Sequence, residues 1–235
     1  MRSKIVLISF IVSLSTTSAP FLTFAETPLI DPNIPHGETI TYTSRTGDTL
    51  TTIVEDVVIK RDGDREIYKI TSRSESLDRT VVLIKETMAL LSVHTVRKYQ
   101  GATLDSQLTV LDEEVQFKQD EVKLADFSVL MYVFRGFPFN ILKKLKIGRY
   151  GDKKSGKFAF NAKYKKIEKV KANQRTVECY KLELSMDGFW GTFFPKTNMW
   201  YSVVPPHYLV RYEGPSGPPG SPKREVELTS YDVIK

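Results

Sequence analysis

This sequence predicts a mainly-β fold, either a curved antiparallel sheet or a partly open barrel, with one short buried helix near residues 126–135. Three observations predict it. Short stretches rich in β-branched and aromatic residues recur along the chain between turn residues, as they do in antiparallel sandwiches and barrels. A single stretch is apolar at helical spacing instead. Residues 26–235, which follow an N-terminal leader, are enough for one well-buried all-β domain.

The leader, residues 1–25, has the three parts of a secretory signal peptide. Arg2 and Lys4 give a basic start, residues 5–14 are apolar, and small residues precede the bond between Ala25 and Glu26, an order typical of signal peptides. The apolar run is too short to span a bilayer, which needs about 20 such residues; an uncleaved anchor is the alternative interpretation. We therefore expect a periplasmic protein with no transmembrane segment after cleavage and, without a cysteine at the cleavage point, no lipid anchor there.

The mature chain is expected to consist of an extended, proline-rich lead-in, residues 26–37, and a single β-rich domain, residues 38–235. Residues 61–64 place an Asp-Gly pair between two β-branched runs, which is the strongest hairpin pattern in the chain. The glycine- and proline-rich residues 214–222 are predicted to form a rigid loop. Strands are predicted over residues 39–43, 50–60, 66–71, 80–85, 90–98, 103–111, 114–118, 157–164, 167–171, 176–185, 199–204, 208–213 and 224–233.

Residues 126–135 break the strand pattern. Four apolar side chains there fall at i, i+3, i+4 and i+7, the spacing of one helix face. They are Phe127, Leu130, Met131 and Phe134. Asp126 can cap the start of such a helix, while Gly136 and Pro138 end it. The segment is apolar nearly all round, so we expect it to be buried and to plug or cover a curved sheet; a strand is the competing interpretation.

The charges of the chain are unevenly distributed. Thirteen Lys and Arg residues lie between Lys143 and Arg175, against only Asp152 and Glu168, whereas residues 105–126 are rich in acid. In an exported protein, such a basic zone suggests a face for anionic envelope material or for a charged partner. The alternative is that lysines at strand edges prevent pairing between sheets.

The sequence offers few residues for chemistry. The histidines, His36, His94 and His207, do not share a metal-binding spacing, and no nucleotide-binding or nucleophile motif is present, so we expect no metal and no cofactor. Cys179 is the single cysteine, which excludes an intrachain disulfide and is more typical of a small buried residue than of a nucleophile. No catalytic residue is nominated, although a triad or carboxylate pair assembled from distant loops stays open.

The C-terminal third is rich in large aromatic residues, which can line a hydrophobic cleft or close a core. We take them as candidate ligand-binding residues, with an ordinary core as the alternative. They are Trp190, Phe193, Phe194, Trp200 and Tyr201.

Several blocks of the chain resemble a family of exported bacterial proteins, the domain-of-unknown-function 3108 family. The most specific block is residues 126–135, an Asp followed by apolar residues and an Arg. Other blocks lie at residues 37–42, 199–202, 209–213 and 225–231. The resemblance implies a periplasmic, partly open antiparallel barrel, similar in plan to lipoprotein-carrier domains whose sheet wraps an apolar cavity. The family has no assigned activity. Asp126 and Arg135 match its pattern, and their structural interpretation is a helix cap and an arginine paired with a carboxylate.

These observations lead us to expect a non-enzymatic periplasmic protein that binds an apolar or amphiphilic envelope component, or its carrier, in a concave sheet. The expected partners are a lipid, a lipoprotein or an anionic polysaccharide, and export argues against nucleic acid. Two alternatives stay open. One is a hydrolase acting on cell-wall or surface polysaccharide, and the other is a structural or assembly module that uses the basic zone to hold a partner.

Overall fold

The computed structural model describes residues 28–99, 101–111, 117–118, 121–149, 159–188, 191, 194–217 and 220–234. The predicted signal peptide lies outside these residues. Fourteen strands are found in the described part of the chain. They are β1 (Glu38–Thr46), β2 (Thr49–Asp62), β3 (Arg65–Arg73), β4 (Leu77–Ile84), β5 (Leu90–Tyr99), β6 (Ala102–Thr109), β7 (Phe117–Lys118), β8 (Glu121–Leu124), β9 (Lys144–Arg149), β10 (Phe160–Ala172), β11 (Arg175–Met186), β12 (Thr197–Ser202), β13 (Leu209–Pro215) and β14 (Lys223–Val233).

All fourteen strands belong to one sheet, in the order β6-β5-β4-β3-β2-β1-β14-β13-β12-β11-β10-β9-β8-β7. The first and last strands of the domain, β1 and β14, are therefore neighbours in the middle of the sheet. Neighbouring strands are antiparallel except β8 and β9, which are parallel. The outermost strands, β6 and β7, do not pair with each other in the described residues, so the curved sheet stays open. This confirms the predicted mainly-β fold, a curved antiparallel sheet or partly open barrel.

Three details of the strand prediction were wrong, the first being that strand β8 (Glu121–Leu124) was not predicted. The strands predicted over 157–164 and 167–171 form a single strand, β10, in which a bulge between Tyr164 and Lys166 shifts the register against β11. Such an extra residue reverses the inward and outward alternation, and this imitates a break in the sequence pattern. Strand β9 was missed because its lysines dominate its composition, although Leu145 and Ile147 between them are completely buried.

The parallel pairing of β8 and β9 requires a crossover between them, and the chain makes it through the barrel interior. We call residues 126–142 the plug. It begins with a 3₁₀ turn (Phe127–Val129), continues as helix α1 (Leu130–Val133) and ends in a second 3₁₀ turn (Phe134–Gly136). The predicted short buried helix near 126–135 is thereby confirmed, although only its centre is α-helical.

The C-terminal part of the plug, which contains Phe137 and Phe139, is packed into an aromatic core. The ring of Phe139 stacks on Tyr180, with centroids 4.4 Å apart and planes 10° from parallel. Further rings surround Phe139 at centroid distances of 4.9–6.0 Å. They belong to Phe137, Tyr164, Tyr201 and His207. Tilted and edge-on rings of this kind add to the stability gained by burial. Aromatic side chains therefore fill this half of the interior.

The lead-in closes the barrel at the same end. Leu29 and Ile34 are buried, and the amide of Ile30 donates to the carbonyl of Gly136 in the plug at 2.9 Å. The hydroxyl of Tyr68 donates to Asp31 and accepts the amide proton of Ile34. We call this the closed end. We call the opposite end the mouth; it carries residues 47–48, 74–76, 216–217 and 220–222, which connect neighbouring strands.

Candidate functional site

A buried ion pair fixes the plug to the wall of the barrel. The guanidinium of Arg135 donates to both carboxylate oxygens of Glu38, at 2.6 and 2.9 Å, and its Nε donates to the carbonyl of Pro206 at 3.2 Å. Both side chains are almost fully inaccessible to solvent. Burial lowers the pKa of Arg135, but the hydrogen bonds and charge of Glu38 outweigh it, so the net pKa is raised. The ion pair therefore fixes the position of the plug along the barrel and its orientation relative to the wall.

Between the plug and the mouth lies a cavity of about 860 Å³. Its floor is formed by the plug, and its walls are formed by the inward faces of the strands. At the mouth it is bordered by turn residues, among them Ser76, Ser216 and Gly217. The cavity is the candidate functional site, because it is a concave, preformed space of the size that small-molecule sites have, about 300–1,000 Å³.

One wall of the cavity is polar. The strand register aligns four inward residues side by side across β2, β3, β4 and β5. They are Glu55, Ser72, Arg79 and Thr95, of which the first three line the cavity. Closer to the mouth, Arg97 on β5 and Arg224 on β14 also line the cavity. Because inward and outward positions alternate along a strand, each of these residues occupies a position that a barrel with a sealed core would fill with an apolar side chain.

The opposite wall is apolar. Strands β10, β11, β12 and β13 turn Phe160, Leu184, Met199 and Leu209 toward the cavity. Apolar side chains of the plug complete this wall at the floor. They are Phe127, Leu130 and Met131. A ligand in the cavity would thus contact hydrocarbon on one side and charged groups on the other.

Glu55 lies at the bottom of the polar wall, where it is buried. The hydroxyl of Tyr132 in the plug donates to its carboxylate at 2.7 Å, and Ser72 also bonds to it. Burial raises the pKa of Glu55, and these hydrogen bonds only partly oppose the increase. The site therefore holds a carboxyl group that keeps its proton to a higher pH than an exposed glutamate does.

The raised pKa predicts that Glu55→Gln stabilises the protein increasingly as pH rises. Above about pH 4.5 the unfolded chain loses the proton of Glu55 while the folded chain keeps it, so wild-type stability falls until pH passes the folded-state pKa. Glu55→Gln has no proton to lose at this position, so its free energy of unfolding does not fall with pH for this reason. Urea unfolding at pH 5, 7 and 8.5 measures the difference, with the exposed Glu227→Gln as control. An equal effect of both variants at every pH would contradict the prediction.

The predicted ligand-binding aromatic residues do not all lie at the cavity. Phe194 lines the cavity, whereas Trp190 and Phe193 lie outside the described residues. Trp200 is not a cavity residue, because the alternation along β12 turns it to the outer face. There its indole N–H donates to Glu168, and Lys181 lies 4.8 Å from the ring centroid. Tyr201 faces inward but contacts the plug, donating to the carbonyl of Met131 at 3.1 Å.

The two structural candidates have specific contacts. The carboxylate of Asp126 accepts a hydrogen bond from the amide of Ser128 at 2.8 Å, in the extended conformation of an N-cap residue. Arg135, nine residues further on, makes the ion pair with Glu38. Both side chains also border the cavity. Asp126 therefore caps the first turn of the plug, and Arg135 fixes its second 3₁₀ turn to the wall, so both help to define the floor of the cavity.

The sequence contains a pattern that indicates the polar wall, namely charged residues at inward positions of strands, and the prediction from aromatic content did not use it. Glu55 lies between Ile53 and Val57, and Arg79 lies between Leu77 and Val81, each at the spacing of inward-facing residues. A charge at an inward position of an amphipathic strand indicates either a buried partner or a cavity. For Arg224 the neighbouring inward residue is Val226. Glu55, Arg79 and Arg224 are therefore three charged residues at inward positions of three different strands. Together they indicate one cavity.

The remaining titratable candidates lie away from the cavity. Within the described residues no histidine lines it, and no three His, Cys, Asp or Glu side chains come together in a way that could hold a metal ion. Cys179 is buried as a free thiol, and burial raises its pKa to about 12. In the ranges that the structure describes, no helix is long and apolar enough to cross a membrane.

The basic zone lies largely on the outer surface. On β10 the exposed lysines are Lys163, Lys165, Lys166, Lys169 and Lys171. Two acidic residues on the same face, Glu168 and Glu183, each lie within 4 Å of two lysines. Residues 150–158 of the zone lie outside the described part of the chain. None of the described lysines and arginines of the zone lines the cavity.

Comparison with known proteins finds distant structural likenesses. A β-barrel-like protein of domain-of-unknown-function family 1849 from Brucella abortus is 9% identical, with 86% of this chain and 99% of that chain covered and a TM-score of 0.42. An exported protein with a YmcC-like fold from Bacteroides fragilis is 12% identical, with 87% and 99% covered and a TM-score of 0.36. A lipoprotein from Parabacteroides distasonis is 11% identical, with 88% and 98% covered and a TM-score of 0.32.

No protein-family model matches the chain, and no curated protein matches it. The resemblance to the domain-of-unknown-function 3108 family therefore stays a prediction. The structural likenesses are distant, and they assign no function to this chain.

Proposed function

We propose that this protein is a non-enzymatic, exported binding protein that takes an apolar or amphiphilic component of the cell envelope, or a carrier of one, into the barrel cavity. The observation that carries the proposal is a cavity of about 860 Å³ with an apolar wall opposite a polar wall. Water alone is a poor occupant of a space bordered by Leu184, Met186 and Met199, because apolar surface is stabilised by contact with apolar ligand surface.

The fixed plug supports the same function. The ion pair of Arg135 with Glu38 and the bond from Ile30 to Gly136 hold the floor of the cavity. The floor of the cavity is therefore held by contacts within the chain itself, and binding requires little ordering of the protein. Preformed sites avoid part of the entropy cost of association.

The described carboxylates of the cavity also favour binding over hydrolysis. Asp126 caps the plug, and Glu55 accepts from Tyr132. Neither is paired with a histidine in the described residues. Ser72 bonds to Glu55, but the same carboxyl group also accepts from Tyr132 and has a raised pKa, so the described lining holds no serine with the histidine base that activated serine nucleophiles commonly use. We take this as support for a binding protein over the hydrolase alternative.

The proposal is tested on the full chain, purified after export and without detergent. Native mass spectrometry, before and after organic extraction, measures bound lipid directly. Titration with N-phenyl-1-naphthylamine, a neutral probe whose fluorescence rises in apolar surroundings, measures an accessible apolar site. We expect one probe molecule per chain at saturation. A folded protein that neither retains lipid nor binds the probe would overturn the proposed function.

Filling the cavity should block binding. Leu184→Trp adds a large ring on the apolar wall, and we expect it to weaken binding of the naphthylamine probe by about tenfold or more, equal to 1.4 kcal/mol. Met186→Trp, nearer the mouth, is a second variant should the first disturb folding. Asn198→Trp, on the outward face of the adjacent strand, is the matched control. Unchanged probe affinity in a folded Leu184→Trp protein would count against the cavity as the site.

A further inference from the structure

The polar wall contains two guanidinium groups that no carboxylate neutralises in the described part of the chain. Arg79 on β4 donates through Nε to the hydroxyl of Thr95 at 3.3 Å, and Arg224 on β14 donates through Nε to the hydroxyl of Ser44 at 3.0 Å. Each bond goes to a neutral group on a neighbouring strand. In contrast, Arg135 on the cavity floor has both oxygens of Glu38.

The two groups act on the same space. Both line the cavity, and both are only partly accessible to solvent. Burial lowers the pKa of Arg224, and the positive charge of Arg79 adds to this lowering, whereas Tyr212, Tyr132 and Glu55 oppose it. The two guanidinium groups therefore act on each other across the cavity that both of them line. An arginine does not lose its proton in a protein, so the polar wall carries two cations at every physiological pH.

The bonds to Thr95 and Ser44 fix the direction of each guanidinium. A guanidinium has five N–H donors, and only one of them is used on each arginine by the hydroxyls above. The terminal nitrogens are thus available to a ligand, and their fork geometry matches a carboxylate or a phosphate. A third cation, Arg97, lies exposed at the mouth, where it adds to the attraction of anions.

A ligand that enters the cavity must displace the water around these cations. A neutral ligand would leave both guanidinium groups without solvent and without a partner, which is costly. A ligand with an anionic group replaces that water with charge-assisted hydrogen bonds, which are about twice as strong as neutral ones. The apolar wall formed by Leu184, Met186 and Met199 lies opposite and contacts hydrocarbon.

We propose that the cavity binds an amphiphile with an anionic head group, whose carboxylate or phosphate lies between Arg79 and Arg224 and whose hydrocarbon chain lies along the apolar wall. This inference rests on the proposed function and specifies the chemistry of its ligand. It also assigns a task to the terminal nitrogens of the two inward arginines, which the bonds to Thr95 and Ser44 leave unused.

Displacement of the naphthylamine probe tests the head group. Four compounds with the same chain are compared at pH 7 and below their micelle concentrations: tetradecanoate, tetradecyl phosphate, tetradecanol and tetradecyltrimethylammonium. We expect the two anions to displace the probe at concentrations about tenfold or more below those of the alcohol, and the cation to be weakest. Inorganic phosphate at millimolar concentration should not displace it.

Arginine variants link this preference to the proposed residues. Arg79→Met and Arg224→Met should each reduce the preference for tetradecanoate over tetradecanol, and the double variant should abolish it while still binding the neutral probe. Lysine at either position should retain part of the preference. Arg73→Met, which removes an exposed arginine paired with Asp56 on the outer face, is the matched control and should leave the preference unchanged.

The possible outcomes separate the inference from the proposed function. Equal displacement by tetradecanoate and tetradecanol would overturn the anionic head group and leave the binding function intact. Displacement by inorganic phosphate as effective as that by tetradecyl phosphate would overturn the amphiphile in favour of a free-anion site. A preference that survives in the folded double variant would overturn the role of the arginines. Failure of the neutral probe to bind wild-type protein would instead count against the proposed function.

Discussion

Removing either partner of the Glu38–Arg135 ion pair is expected to cost about 3–5 kcal/mol of the free energy of unfolding, because the remaining charge is left buried without a counter-charge. Arg135→Met leaves Glu38, a carboxylate with no solvent access, and Glu38→Gln leaves the guanidinium with uncharged acceptors alone, the carbonyl of Pro206 and the introduced amide oxygen. Urea unfolding followed by far-UV circular dichroism measures both losses. The pair joins residues 97 positions apart, so we also expect loss of the floor of the cavity and weaker binding of the naphthylamine probe.

A double variant separates the cost of an unpaired charge from the value of the pair. Glu38→Met combined with Arg135→Met removes both charges and should recover most of the stability lost in either single variant, since apolar replacements of buried ion pairs are often neutral or stabilising. Arg73→Met, which breaks an exposed pair with Asp56, should cost less than about 1 kcal/mol. If Arg135→Met were no more destabilising than Arg73→Met, the ion pair would not anchor the plug.

Gly136→Ala should destabilise the protein by about 2–3 kcal/mol through overpacking. A Cβ at this position would lie 2.5 Å from the carbonyl oxygen of Ile30 and 2.7 Å from Cγ of Met88. The first of these is backbone and cannot move without displacing the lead-in. Alanine favours helical conformations over glycine, so a loss of stability in this 3₁₀ turn would come from the contact. Urea unfolding gives the loss, and limited proteolysis tests whether the lead-in becomes accessible.

Gly148→Ala on β9 is the matched control. A Cβ there would meet the carboxylate end of the Glu121 side chain, which is flexible and can turn away. We expect a change smaller than about 1 kcal/mol in either direction. Equal effects of the two glycine variants would mean that the contact between plug and lead-in does not limit the packing of the closed end.

Much of the fold could be predicted because the physical signals are local. Alternation of apolar and polar residues marks the strands, and the i, i+3, i+4 and i+7 spacing marks the plug. The bulge in β10 could not be foreseen, since an inserted residue at Tyr164–Lys166 looks like the end of one strand and the start of another. Nor does local sequence state that β1 and β14 are neighbours, which depends on assembly of the whole sheet.

The candidate site was predicted less well, for a different reason. Aromatic content pointed to Trp200 and Tyr201, but large rings fill cores and outer faces as readily as cavities, and only the register of β12 decides which. The informative residues were charges at inward positions, such as Glu55 and Arg79. Their meaning depends on whether a partner lies opposite, and for Arg79 that partner is a hydroxyl on the next strand. Such a contact is visible only once the strands are assembled.

The position of β1 beside β14 also bears on how the chain reaches its native state. Synthesis proceeds from the N-terminus, yet β1 gains its second neighbour only when residues 223–233, near the end of the chain, are available. Contacts over such a separation carry a loop-closure cost that local contacts do not, and they slow folding. Until then the inner surfaces of the early strands stay uncovered. We therefore expect refolding of the isolated chain to be slow, and to be slower still in variants that weaken the pairing of β1 with β14.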